Sequence, residues 1–172
     1  MSLAKDDYLD LYFADESGFS LTPSISYHWQ QKNENVKIVL RHSKRINVFG
    51  IMSKKNDLFQ CHHMGKITSD FVIRAIDEFS NIIKKKTVIC LDNARIHHSK
   101  EFQTQISKWK KLDIEIFYLQ KYSPYLNFIE ILWRKIKYEW LRAKDYLSWE
   151  SLEKALENIF SGFGNIYNII FK

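Results

Sequence analysis

Proline and glycine are scarce, with two and five copies in 172 residues, and cysteine appears only twice. So few chain-breaking residues exclude a collagenous, mucin-like or Gly/Ser-linker character. Cys61 and Cys90 lie in apolar, strand-like runs. That placement suits free thiols in a reducing compartment better than a disulfide framework. The run Cys61-His62-His63 is no zinc site, because neighbouring strand residues diverge and no second ligand pair stands at finger spacing. No apolar run approaches the roughly 18 residues that a membrane span requires. Asp6, Asp7 and Asp10 occupy the region where a secretory leader would be basic. A soluble, intracellular protein without a membrane partner is the expectation. What is abundant is core material and charge: 45% of residues are hydrophobic and 27% charged, with a formal net charge of +6. One folded domain over residues 1–172 follows. The basic balance fits a polyanionic partner through counterion release, and a merely soluble basic surface equally well.

Along the chain the hydrophobic period alternates between 2 and 3.6. Leu9 to Ala14 read as a first strand, ending at Asp15 and a Ser17-Gly18 turn signal. His28 to Asn35 read as an irregular excursion before Val36 to Leu40 resume strand character. Ile46 to Met52 and Leu58 to His62 make a hairpin across Lys54-Lys55-Asn56-Asp57. Thr68 caps a helix whose apolar face is Val72, Ala75, Ile76, Phe79, Ile82 and Ile83. Thr87 to Leu91 are continuously apolar, as a strand buried on both faces would be, and Asp92 ends them. Ser99 caps a second helix through Leu112, Ile114 to Leu119 form a fifth strand, and Asn127 opens a third helix reaching Trp140. A last helix spans about Trp149 to Phe160. This order predicts an α/β protein with a mixed five-stranded sheet and helices on both faces: a three-strand antiparallel meander, then helix-strand-helix-strand-helix. It resembles the ribonuclease H-like fold.

Three acids occupy special places in that order. Asp15 ends the first strand, Asp92 ends the fourth, and Glu130 lies in the first turn of the helix after the fifth. If the first and fourth strands are parallel neighbours, both aspartates leave the sheet at one edge, within reach of a helix carrying Glu130. Such a cluster repels itself without a cation, and oxygen-only ligands favour Mg²⁺ or Mn²⁺ over Zn²⁺. Two such ions would stabilise the attacking and leaving oxygens of an in-line phosphoryl displacement.

The residues around these acids resemble a known family. Phe13-Ala14-Asp15-Glu16-Ser17-Gly18-Phe19, Leu91-Asp92-Asn93-Ala94-Arg95-Ile96-His97 and Tyr122-Ser123-Pro124-Tyr125-Leu126-Asn127-Phe128-Ile129-Glu130-Ile131-Leu132-Trp133 are similar to the three motif blocks of DDE transposases of the insertion-sequence type, in the Tc/mariner superfamily. The resemblance implies metal-dependent DNA cleavage and strand transfer at Asp15, Asp92 and Glu130, acting as metal ligands and catalytic residues. It implies double-stranded DNA partners (transposon ends and a short TA-type target) and a homodimer or larger assembly on DNA. The helix-turn-helix DNA-binding domain that would precede such a catalytic domain is missing from this sequence. Phe128 stands where the family has proline, and it bears directly on the helix start that aims Glu130.

Around the triad, Asn93, His97 and Asn127 are candidates for hydrogen bonding to the ligands or to substrate. Glu16 faces away from Asp15 by strand alternation. Arg134, Lys135, Lys137, Arg142 and Lys144 concentrate charge beside the third block, interleaved with Tyr138 and Trp140. They form either a DNA-backbone track or a solvated helix face. Two alternatives to the transposase reading remain: a catalytically inactive DNA-binding or assembly remnant of a mobile element, and a ribonuclease H-like hydrolase of RNA–DNA hybrids.

Overall fold

The computed structural model describes residues 8–22, 44–121 and 123–171. The expected excursion from His28 to Asn35 and the strand at Val36 to Leu40 lie outside the described residues. Among the described residues five strands form one sheet, standing from edge to edge in the order third, second, first, fourth, fifth. They are β1 (Asp10–Phe19), β2 (Ile46–Ser53), β3 (Leu58–His63), β4 (Thr87–Leu91) and β5 (Ile114–Tyr118). The hairpin chemistry of Lys54 to Asp57 makes β2 and β3 antiparallel, and β2 is antiparallel to β1 as well. β4 runs parallel to both β1 and β5, each reached through a helical crossover.

β1 does not stop at Asp15. Its parallel pairing with β4 ends at Phe13, but antiparallel pairing with β2 continues from Asp15 opposite Gly50 to Phe19 opposite Ile46. The Ser17-Gly18 pair, a turn signal by composition, is therefore strand. A Cβ at Gly18 would stand 2.8 Å from Arg45 Nε, so this glycine serves a close approach rather than a turn.

α1 (Ser69–Ser80) starts where its cap predicts, with the Thr68 hydroxyl accepting from the Phe71 N–H. It ends before Ile82 and Ile83, and Ile82 is exposed. The Ser80 hydroxyl and the Asn81 amide both donate to the Asp77 carbonyl. Such side chains compete with the helical ladder and close the helix there. α2 (Lys100–Lys111) carries the Ser99 cap as expected. α3 (Ile129–Lys135) passes into a π turn over Ile136–Trp140, where the Leu141 N–H reaches back to the Ile136 carbonyl. α4 (Trp149–Ser161) is capped by Ser148.

Among the described residues two buried clusters cover the two faces of the sheet. Ala14, Phe49, Ile51, Ile89 and Leu91 pack beneath α1 and α2, with Trp109 and Phe102 at the centre. Phe13, Phe19, Val48, Met52 and Cys90 pack beneath α3 and α4, against Ile129, Leu132, Trp133, Leu152 and Leu156. Strand alternation sends Ala14 to the first face and Phe13 to the second. A sheet with helices on both sides is thus built from period-2 strands and 3.6-period helices that each bury one stripe. Among the described residues no helix is long and apolar enough to cross a membrane.

Candidate active site

The register brings the two aspartates together. Phe13 is level with Cys90 across the parallel β1–β4 pair, so Asp15 and Asp92, each two residues onward, stand side by side where β4 ends and β1 runs on against β2. Glu130 arrives from α3, which packs across the sheet there. The close approach depends on Gly50, directly opposite Asp15 on β2. A Cβ there would meet Trp133 Cη2 at 2.8 Å and Ile129 Cδ1 at 3.0 Å, so the helix rests against bare backbone.

Phe128, in the place where the resemblance expects proline, is the residue before the helix, which starts at Ile129 rather than at Asn127. Its backbone sits at φ −63°, the value to which a proline ring is locked. Its ring meets Phe13 edge-on at 4.9 Å and Phe171 at 5.8 Å, and Lys54 Nζ lies 3.7 Å above it. The Asn127 side chain makes no helix cap. It donates to the Ala14 carbonyl at 3.0 Å, tying the start of α3 to β1 beside Asp15.

Asp15, Asp92, Asn93, Asn127 and Glu130 line one cavity of about 570 Å³, together with Arg95 and Lys121. Asp15 is 9% exposed. Burial, reinforced by the negative charges of Glu16, Glu130 and Asp92, pushes its carboxyl from 3.8 up to about 8. Asp92 behaves oppositely. Hydrogen bonds from His97 and from the Ala94 N–H hold its carboxyl below the usual range against partial burial. Burial alone would lower His97, but bonds to Asp92 and Glu16 outweigh it and raise the imidazole to about 9. Among the described residues no three His, Cys, Asp or Glu side chains stand close enough together to cage an ion as they are placed. The acids share a cavity, not a finished ligand shell.

The other predicted residues divide. The Asn93 amide donates to the Leu119 carbonyl and accepts from His98, whose ring stacks on Tyr118 at 4.5 Å. Asn93 thus ties the loop after β4 to the end of β5. His97 is fully buried between Asp92 and Glu16. The five cations do not make one track. Arg134 is exposed, and Lys135 pairs with Glu139 at 2.5 Å. Lys137 is half-buried over the Phe19 ring, and burial, with Arg45 nearby, lowers its ammonium although Glu130 and Asp15 oppose this. Arg142 and Lys144 border a separate cleft of about 690 Å³ with Lys154 and Trp140. Arg95 and Lys121, which flank the acids in the cavity, were missed from sequence. The signal was their place within and just before the second and third motif blocks.

A mixed sheet covered on both faces, with acids from β1, from the end of β4 and from the helix after β5 at one edge, defines a ribonuclease H-like fold. Solved structures agree in fold. The mariner Mos1 paired-end complex with Mg superposes with TM-score 0.61 at 13% identity, covering 89% of this chain and 48% of that one. The catalytic core domain of BIV integrase superposes with TM-score 0.52 at 13% identity, covering 87% of this chain and 82% of that one. In sequence, residues 10–153 match the DDE superfamily endonuclease family, and the chain belongs to that family. It is 24% identical over 149 residues to the insertion element IS630 uncharacterized 39 kDa protein of Shigella sonnei, covering 84% of this chain and 43% of the relative. The chain thus spans about half the length of the insertion-element relative and of the Mos1 chain.

Proposed function

We propose that this chain is the catalytic domain of a DNA transposase, in which Asp15, Asp92 and Glu130 hold Mg²⁺ or Mn²⁺, as two ions, for DNA cleavage and strand transfer. The observation that carries the reading is the convergence of three acids from distant segments on one cavity, where burial, reinforced by mutual repulsion, keeps Asp15 protonated up to about pH 8. A divalent cation is the natural counter-charge for such a group. The donor set fits it: carboxylate oxygens suit hard cations, and the buried Asn127 Oδ1 has no hydrogen-bond partner among the described residues. When bound, the ions would supply Lewis-acid stabilisation of the phosphodiester oxygens and activate the attacking oxygen. The protein's own part is orientation. Asp15 enters from a paired strand, Asp92 from the first residue after β4 and Glu130 from a helix seated on Gly50, and Arg95 and Lys121 offer charge to the DNA backbone without reading sequence. Similar structures support DNA as partner: Mos1 paired end complexes are described with Mg and with Mn, and a Mos1 transposase paired-end complex is described with its left transposon end. Assembly as a dimer or larger complex on that DNA belongs to the same proposal.

Nicking of supercoiled duplex DNA in Mn²⁺ tests the reading. Activity that disappears in Asp15→Asn and Asp92→Asn, and exceeds activity on an RNA–DNA hybrid, is the expected result. Among the described residues no three acids stand close enough to cage an ion as they are placed, which favours a second reading, a non-catalytic remnant of a mobile element. Metal-independent DNA binding without any nicking would establish it.

A further inference from the structure

Glu16 lies outside the three acids, next to Asp15 but on the opposite side of the strand. Its carboxylate is 3.1 Å from His97 Nε2, while His97 Nδ1 is 3.0 Å from Asp92 Oδ1. A carboxylate can only accept here, so the ring donates at both nitrogens and spans the two acids. We propose that Glu16 is a positioning residue: through the fully buried His97 ring it braces the Asp92 carboxylate and fixes which of its oxygens is offered to a divalent cation in the cavity. The proposal rests on the reading of Asp15 and Asp92 as metal ligands.

The rest of the geometry shows a brace with no slack. Asp92 Oδ1 accepts from the Ala94 N–H at 2.9 Å and pairs with His97 Nδ1, which also lies 3.3 Å from the Asp92 carbonyl, so Oδ2 remains for the cavity. The His97 ring packs against Phe102 with centroids 5.7 Å apart. Its carbonyl accepts from the Tyr118 hydroxyl at 2.7 Å and the Gln103 amide at 3.0 Å, and its N–H donates to the Ala94 carbonyl at 3.0 Å. His97 therefore cannot shift without breaking contacts to α2 and β5. Glu16 is the link back to β1, the strand that carries Asp15. The bridge thus couples the two aspartates around the sheet edge, in the way partners behind a metal ligand set its orientation.

The test is Mn²⁺ binding to the 172-residue chain, by calorimetry, together with the Mn²⁺ dependence of nicking. Glu16→Ala should weaken Mn²⁺ binding about 10- to 100-fold, the usual cost of losing a partner behind a ligand. It should raise the Mn²⁺ concentration for half-maximal nicking in parallel, with the saturated rate kept within about threefold. Glu16→Gln retains an acceptor for His97 Nε2 and should restore affinity to within about threefold of the parent. Glu16→Thr, strand-favouring but too short to reach the ring, carries the same test should the alanine variant fail to fold. Parent-like Mn²⁺ affinity in Glu16→Ala or Glu16→Thr, with binding lost in Asp92→Asn, overturns the brace and leaves the metal site standing. Equal loss in Glu16→Gln also overturns it, since charge rather than the hydrogen bond would then matter. Parent-like binding in Asp15→Asn and Asp92→Asn removes the metal-site reading itself.

Discussion

Asp15 carries the largest electrostatic burden in the described structure. Its carboxyl titrates near 3.8 when unfolded and near 8 when folded and metal-free. A raised folded value means that the group's contribution is fully present below pH 3.8. Between about pH 4 and pH 8 the unfolded chain gives up the proton that the folded chain keeps, so stability is lost across that window. Asp15→Asn removes the titration. Without divalent metal, the variant's advantage over the parent should grow from pH 4 to pH 8 and then level off, reaching at least about 3 °C in thermal midpoint, roughly 1 kcal/mol for a chain of this size. With saturating Mn²⁺ the order should reverse, because only the parent is stabilised by binding. A pH-independent difference between the two proteins in scanning calorimetry would show that burial of Asp15 is not the source. At the same scale, Phe128→Pro should keep Mn²⁺ affinity within about twofold, since the backbone already sits at proline's φ. It should lower stability by about 1–3 kcal/mol through the lost ring contacts with Phe13, Phe171 and Lys54, measured by urea titration.

The elements show which parts of this site could be read from the chain alone. Caps at Thr68 and Ser99, the apolar β4 and the acid after it were legible because each depends on neighbours within a few residues. The true extent of β1 was not, since residues Asp15 to Phe19 stay extended through pairing with β2, some thirty residues away in sequence. The end of α1 was missed because Ser80 and Asn81 turn back onto Asp77, a local competition that hydrophobic period does not register. The π turn after α3 was equally invisible: its apolar residues keep near-helical spacing, yet the widened turn separates Lys137 from Arg142 and Lys144. The three acids were recognisable through their motif blocks, but Arg95 and Lys121 share the cavity only because the ends of β4 and β5 are neighbours. Gly50 is a tight point between β2 and α3. Gly50→Ala would force Trp133 and Ile129 off β2, with an overpacking cost of about 1–3 kcal/mol. Because Glu130 rides on the displaced helix, nicking should fall at least tenfold even where the variant remains folded, and Mn²⁺ affinity should fall with it. Unchanged nicking in a folded Gly50→Ala would mean that α3 does not need this contact to aim Glu130.

Across the whole molecule, charge decides how a duplex would approach. The net charge of +6 supplies a non-specific attraction, but its distribution is uneven. Arg95 and Lys121 stand at the carboxylate cavity, whereas Arg142, Lys144 and Lys154 border a separate cleft. A phosphodiester held at the acids must pass the first pair, so these two side chains should neutralise phosphates directly. Each phosphate neutralised adds about 0.9 to the slope of log affinity against log salt for duplex DNA. Arg95→Ala combined with Lys121→Ala should therefore reduce that slope by about 2, lower affinity at 50 mM salt by at least tenfold, and reduce nicking in proportion. Arg142→Ala with Lys144→Ala should lower the slope too if the duplex extends along α3 to the far cleft, while leaving Mn²⁺ affinity unchanged. Fluorescence anisotropy over a salt series separates these cases. An unaltered slope in the Arg95 and Lys121 double variant would place the DNA away from the acids, and the cavity would lose its claim to the scissile phosphate.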